Sequence, residues 1–384
     1  MTENSAERSG KNINVNKQDF LTPKLRNELF GDEWSKKKLE DISTIVMGQS
    51  PSSSNYSNNS DETVLIQGNQ DLQNGYIIPR IYTSQITKLS KPGDIILTVR
   101  APVGDIAINE YISCIGRGVC SITPKEDKKF IYYYLQFLNN KNIWNKYSQG
   151  STFESVNSKD IKNLKINIPT LNEQKYISEF FSLIDQKISF MEKKYNVLDK
   201  YHKSLIYALL NNNMNNEEYK KISLNHIVNY TSSNLSLNNL EDNCGSYPLF
   251  GADGFVKNID FYEMGEEYIG IVKDGAGVGR ISYNNKKTSV LGTMGYLTSK
   301  GNINLKYVYY YLNMLNLSKY IVGSTIPHIY FKDYSKEKIN LPQLIEQEKI
   351  VNLLDSVNEL IINLNKEIEI NRDFKKSLLT KMFC

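Results

Sequence analysis

The 384-residue chain carries 46 Lys and Arg against 42 Asp and Glu, a net charge of +4 that permits contact with nucleic acid without requiring it. A chain longer than the roughly 250–300 residues at which single cores stop growing is expected to hold two domains. Its four cysteines, Cys114, Cys120, Cys244 and Cys384, form no CxxC pair and have no histidine partners at metal-ligand spacing, which argues against a zinc site or a disulfide framework and for reduced thiols.

Residues 1–20 are poor in apolar side chains and rich in Asn, Ser and Lys, which predicts a disordered tail with no signal-peptide core. No run of about 18 apolar residues occurs, so a soluble, cytoplasmic protein is expected. The segment Pro23-Lys24-Leu25-Arg26 then leads into Trp34 and Leu39–Ile42, with a weaker echo at Tyr219–Ile227. Short apolar runs broken by Gly, Pro, Asn and Ser follow each entrance: Thr63–Gln67, Asp94–Val99, Ile106–Asn109, Tyr268–Val272 and Gly279–Tyr283 read as strands joined by tight turns. Two aromatic segments, Phe130–Leu138 and Tyr307–Leu315, have helical spacing, and their rings are expected to pack on a sheet.

After Pro169 and Pro342 the pattern changes to a seven-residue rhythm. Ile177, Phe181, Ile184, Ile188, Met191, Tyr195, Leu198, Leu205 and Leu209 fall on alternating steps of four and three, with His202 in the remaining seam position, and this is a coiled-coil stripe. The second stripe runs Ile350, Leu354, Val357, Ile361, Leu364 and Ile368, falters at Asn371 and Lys375, and resumes at Leu378 and Met382. Each helix of about 40 residues would extend roughly 60 Å at about 1.5 Å per residue. A stripe needs a partner, and the two helices most economically pair with each other.

The two halves repeat one another. Gly150-Ser151-Thr152 answers to Gly323-Ser324-Thr325, Pro169 to Pro342, Glu173-Gln174 to Glu346-Gln347, and Lys203-Ser204-Leu205 to Lys376-Ser377-Leu378, all at an offset of 173. A unit of this length is a duplicated domain, since solenoid repeats run to a few tens of residues. Catalytic signatures are missing. Gly275-Ala276-Gly277-Val278-Gly279 is followed by a strand-like stretch where a phosphate loop would open a helix, so it reads as a hairpin. His202, His226 and His328 have no nucleophile setting, and Asp160 and Asp333 are adequately explained by turn or capping roles.

The Pro-Lys-Leu-Arg entrance with Trp34, the loop Gly48–Tyr56, the strand and turn Pro92–Arg100, the segment Tyr247–Gly254, both Gly-Ser-Thr turns and the stretches Ile166–Gln174 and Ile339–Gln347 resemble the DNA-specificity subunit of type I restriction-modification systems. The resemblance covers nearly the whole chain after the tail, and the order of its pieces, duplicated with a heptad helix after each copy, is what makes it specific. It implies an α+β protein with a pseudo-twofold internal repeat. Two β-rich target recognition domains, 21–168 and 213–341, would be joined by two long antiparallel coiled-coil helices, 169–212 and 342–384. It further implies that each domain reads one half of a split DNA site, and that the helices set the gap and bind two methyltransferase subunits. Catalysis, with S-adenosylmethionine for adenine methylation and with ATP and Mg in motor-nuclease subunits, would lie in those partners; this chain would be no enzyme and would hold no cofactor. Recognition by heads about one helical turn apart, roughly 34–36 Å, is compatible with helices of this length.

Polar loop residues are the candidates for DNA contact, because Arg and Lys suit guanine, Asn and Gln suit adenine, and Ser and Thr suit phosphate. In the first domain these are Gln49, Ser52, Ser54, Tyr56, Gln67, Asn69, Arg100, Arg117, Ser151 and Thr152; in the second they are Ser233, Asp253, Lys273, Arg280, Ser324, Thr325 and His328. The shared Gly-Ser-Thr turns suit phosphate positioning better than base choice. Two rival readings are a detached specificity module of a fused restriction-methyltransferase enzyme and a coiled-coil scaffold whose heads bind proteins; salt-sensitive, sequence-selective DNA binding would exclude the latter, and binding unaffected by DNA would support it.

Overall fold

The computed structural model describes residues 22–146, 155–211 and 219–384; the tail 1–20 expected to be disordered lies outside them. The chain divides into two compact units, Met1–Phe190 with Glu367–Cys384, and Met191–Lys366.

In the first unit the entrance strand Ser35–Lys38 pairs antiparallel with the exit strand Lys165–Ile168, Ser35 opposite Ile168. The run read as a strand around Asp94–Val99 forms Ile95–Thr98, with all four residues buried because both its faces are covered. Val119–Pro124 and Ile106–Ile108 flank it in a six-stranded sheet. A second, five-stranded sheet holds Thr63–Ile66 parallel to Ser113–Ile115. The aromatic segment is the helix Lys128–Asn140, started by the Asp127 side chain accepting from the Phe130 amide at 2.7 Å. Phe130, Tyr133 and Tyr134 are all buried, so these rings are core.

The central helix, Leu171–Asn211, begins in this unit and meets the end of the C-terminal helix, Leu344–Met382. Ile177 and Phe181 share a core with Leu378, Leu379, Met382 and Phe383, and the Phe181 and Phe383 rings stack at 5.8 Å. Asp185 pairs with Lys375 at 2.6 Å, whereas the earlier Ile177 borders the same small cavity as the later Met382, so the helices run antiparallel here.

The second unit repeats the plan. Lys220–Ser223 pairs with Lys338–Leu341, and Tyr268–Val272 lies in a four-stranded sheet between Met294–Ser299 and Ile281–Asn284. A three-stranded sheet places Tyr247–Gly251 between Gly254–Ile259 and Ser289–Val290. The helix Leu305–Met314, capped by Asn304, buries Tyr307, Tyr310 and Tyr311. Leu205, Ile206, Leu209 and Leu210 pack with Ile350, Val351 and Leu354. Asn340 donates to the Leu210 carbonyl, as Asn167 in the first unit does to that of Cys384.

Of the seam residues, Ile177, Phe181, Ile188, Met191, Ile350, Leu354, Val357, Ile361, Leu364, Ile368, Leu378 and Met382 are buried, and Ile184, Tyr195, Leu198, Leu205 and Leu209 are half-buried. His202 is buried in the second unit, edge-on to Tyr310 at 6.1 Å. At the matching place 173 residues on, Lys375 lies over the Tyr133 ring at 5.2 Å while paired with Asp185.

Hydrogen-bond register locates the drift between the copies. Ile66 and Phe250, each accepting from the first residue of a matching turn, are 184 apart, whereas Leu97 and Ile271, opposite Ile106 and Ile281, are 174 apart. The ten additional residues of the first unit therefore lie between Ile66 and Leu97. The hairpin of Leu72–Gln73 and Tyr76–Ile77 sits there, turned by Asn74 and Gly75 at φ 52° and 82°. Asn-Gly at positive φ is the sequence mark of a two-residue hairpin.

Candidate nucleic-acid interface

In the first unit, strand pairing gathers candidates that are far apart in sequence. The Gln49 amide donates to Ile115 O at 2.8 Å, the Gly116 amide to Ile66 O at 2.8 Å, and the Arg117 amide to Ser50 Oγ at 3.0 Å. Gln49, Gln67 and Arg117 thus stand on three loops held together by backbone bonds and by the Ser50 hydroxyl. Gln67 is fixed by Asp71, whose carboxylate accepts its amide at 2.7 Å, and Asn69 opens the short turn that brings Asp71 back. Arg100 is next to Val99, whose amide donates to Gly118 O at 2.8 Å, and it bridges to Ser155. Ser52, Ser54 and Tyr56 follow along the segment leaving the cluster. The Ser52 amide is held by Gln85 at 3.0 Å, the Ser52 and Ser54 hydroxyls meet at 2.9 Å, and Tyr56 is half-buried in a short strand. Ser151 and Thr152 lie outside the described residues.

In the second unit, Lys273 donates to Ser232 Oγ at 2.6 Å and lies 3.7 Å from Asp274. The Asp274 carboxylate contacts His328 Nδ1 at 2.7 Å, and that ring stacks on Tyr330. Val322 and His328 exchange backbone hydrogen bonds of 2.9 and 2.8 Å, closing a loop whose first residue, Gly323, has φ +90°. Ser324 and Thr325 are exposed at its tip. Asp253 and Arg280 form an exposed ion pair of 3.1 Å, of the kind that contributes at most about 1 kcal/mol. Ser233 has a different setting: it is buried, and its hydroxyl is committed to Val290 O at 2.6 Å and to Glu263.

The glycine-rich stretch joins Tyr268–Val272 to Ile281–Asn284, the hairpin expected from its sequence. Asp160 caps a short helix reciprocally with Asn157, and Asp333 lies within the helix Phe331–Tyr334. Burial pushes the Cys120 thiol up to about 12, so it stays protonated and inert. Among the described residues no cluster of three His, Cys, Asp or Glu side chains could hold a metal, and no helix is long and apolar enough to cross a membrane.

Two features escaped the sequence reading. The ties made by Ser50, Asp71 and Gln85 belong to tertiary structure and left no local sign. The second feature did leave one. Tyr176, Leu183, Phe190 and Val197 are exposed at seven-residue spacing along the central helix, a stripe offset from its buried seam. Leu353, Leu360 and Phe374 form the same kind of stripe on the C-terminal helix.

The family profile of the type I restriction modification DNA specificity domain matches this chain twice, over residues 31–200 and 216–372. The type I restriction enzyme MjaIX specificity subunit of Methanocaldococcus jannaschii is 24% identical over 401 residues, spanning 91% of this chain and 92% of that protein. A second relative from that organism, assigned to the type I restriction enzyme MjaX as its specificity subunit, is 34% identical over 184 residues; the match spans 47% of this chain and only 43% of that relative's length. Among solved structures, the S subunit of the type I restriction-modification system of M. genitalium covers 94% of this chain with 99% of its own, at a TM-score of 0.63 and 17% identity. A chain from structural work on complex assembly and conformational transition of the type I R-M system aligns over 92% of this chain at a TM-score of 0.60 and 17% identity. These likenesses show the shared fold.

Proposed function

Because the chain belongs to the type I restriction modification DNA specificity family, we propose that each unit reads one half of a bipartite, asymmetric DNA site while the long helices set the gap and dock two adenine-N6 methyltransferase subunits. The chain supplies recognition and no catalysis. S-adenosylmethionine, ATP and Mg would be used by the methyltransferase and by motor-nuclease subunits of a cytoplasmic complex.

The observation that carries this reading is a scaffold kept alike beneath loops that differ. Ser233 donates to Met294 O as Gly48 does to Val119 O, so matching loops are tied at matching places. Yet next to those ties the first unit has Gln49, Gln67 and Arg117 where the second has Asn234, Gly251 and Gly292. Shared ties with unlike side chains suit two half-sites of different sequence, because base edges are read by side chains in loops. The exposed heptad stripes suit the docking role, since each Leu or Phe covered by a partner helix contributes about 1.5–3 kcal/mol.

The test is to map adenine methylation in cells with and without this chain, its partner subunits intact. The expected result is one split motif, methylated in its presence and unmethylated in its absence. An unchanged methylome would reject the reading.

A further inference from the structure

We propose that Arg117 reads a guanine in the half-site of the first unit, and that the second unit, with Gly292 at the same place, lacks this reader; the proposal rests on the DNA-specificity reading above.

The equivalence of the two positions follows from five matched hydrogen bonds donated by backbone amides. Gly116 donates to Ile66 O and Leu291 to Phe250 O; Arg117 donates to Ser50 Oγ and Gly292 to Leu235 O; Val99 donates to Gly118 O and Lys273 to Thr293 O. Gly48 donates to Val119 O as Ser233 does to Met294 O, and the turn closes from Val119 to Gly116 O as from Met294 to Leu291 O. Arg117 and Gly292 are therefore the same residue of the same turn.

The first unit's turn is built to present one side chain. A Cβ on Gly118 would lie 2.0 Å from Gln67 O, and one on Gly116 would lie 3.1 Å from Ser50 Oγ and 3.3 Å from Gln67 Cα. Glycine on both sides lets the backbones of three loops close around Arg117, which is itself exposed. Its guanidinium is also uncommitted: Arg26, Arg80, Arg280 and Arg372 lie beside carboxylates, whereas Arg100 and Arg117 form no ion pair with a described residue. An exposed, unpaired guanidinium on a clamped turn matches the two acceptors, N7 and O6, that guanine alone offers on its major-groove edge. Arg100, which bridges to Ser155, has no such pair of flanking glycines. In the second unit Gly292 instead lines an open cleft of about 520 Å³ together with Asn234, Leu235, Lys273 and Leu291, and a Cβ there would lie 3.1 Å from Leu235 O.

The test uses the full chain with its methyltransferase, comparing adenine-methylation motifs for the wild type, Arg117→Ala and Arg117→Lys. Both variants are expected to lose about 10- to 100-fold discrimination at one guanine of one half-site, with the other half unchanged, because an ammonium cannot pair with both acceptors. An unaltered motif for Arg117→Ala, or methylation weakened at every site with no position relaxed, overturns the proposal. Should Arg117→Ala give no methylation, Arg117→Lys decides: one relaxed guanine supports the proposal, and an unaltered motif or no methylation overturns it. A wild type without a split motif would instead reject the underlying reading.

Discussion

Arg26→Ala should be among the most damaging single truncations in the first unit. Arg26 grips Glu173 with both prongs, Nε to Oε1 and Nη2 to Oε2, each at 2.7 Å, and Trp34 Nε1 adds a contact to Oε1 at 3.3 Å. The Glu173 side chain is 1% exposed, so it has almost no water to fall back on. Removing the arginine leaves a buried carboxylate without its counter-charge, at a cost of about 3–5 kcal/mol. The repeat supplies an internal control. Glu346 holds the position 173 residues on, but it pairs with Lys349 at 3.5 Å, with side chains 45% and 71% exposed. Lys349→Ala should therefore cost only about 0–0.5 kcal/mol. At about 2–4 °C per kcal/mol for a domain of this size, Arg26→Ala should lower the melting of the first unit by about 10 °C and Lys349→Ala should scarcely move that of the second. Calorimetry of the full chain, which resolves transitions that are not two-state, measures both. Costs for the two variants within about 1 kcal/mol of each other would refute the claim that burial, rather than the ion pair itself, sets the magnitude.

Two further predictions concern the long helices. Burial holds the His202 imidazole below its ordinary value of 6.5. The unfolded chain thus takes up the proton more readily, and the stability present above pH 6.5 should fall as pH drops below it. Urea unfolding at about pH 7 and about pH 5 should show a smaller loss of midpoint for His202→Gln than for the wild type, and equal losses would reject this role. Leu183→Glu with Phe190→Glu, on the exposed stripe, should abolish co-purification of the methyltransferase while DNA binding by the chain persists. Retained co-purification would move the docking surface elsewhere.

Much of the fold was legible because its signals are local. The seven-residue rhythm from Ile177 onward needs only the neighbouring turns, and it leads to helices of 41 and 39 residues where about 40 were expected. The central strands and the aromatic helices were legible for the same reason, since the spacing of apolar residues declares which face is covered. The Asn74-Gly75 hairpin was equally local but passed unread, because the strands it joins are only two residues each. Half-burial of Tyr195, Leu198, Leu205 and Leu209 shows the limit of periodicity: it gives the side of the helix that faces inward, while the neighbour decides how completely that side is covered.

The sequence by itself determined the duplication, the two long amphipathic helices, the aromatic core helices and the family. Tertiary structure alone decided which polar residues converge. Gln49, Gln67 and Arg117 meet because strands as distant as Thr63–Ile66 and Ser113–Ile115 pair in one register, and no local pattern encodes that meeting. It likewise made Ser233 an interior hydroxyl, tied Asp274 to His328, and gave the buried Glu173 an arginine while its repeat partner Glu346 stayed half-exposed. Identical letters met different surroundings, and hydrogen bonding and ion pairing depend on those surroundings rather than on position in the chain.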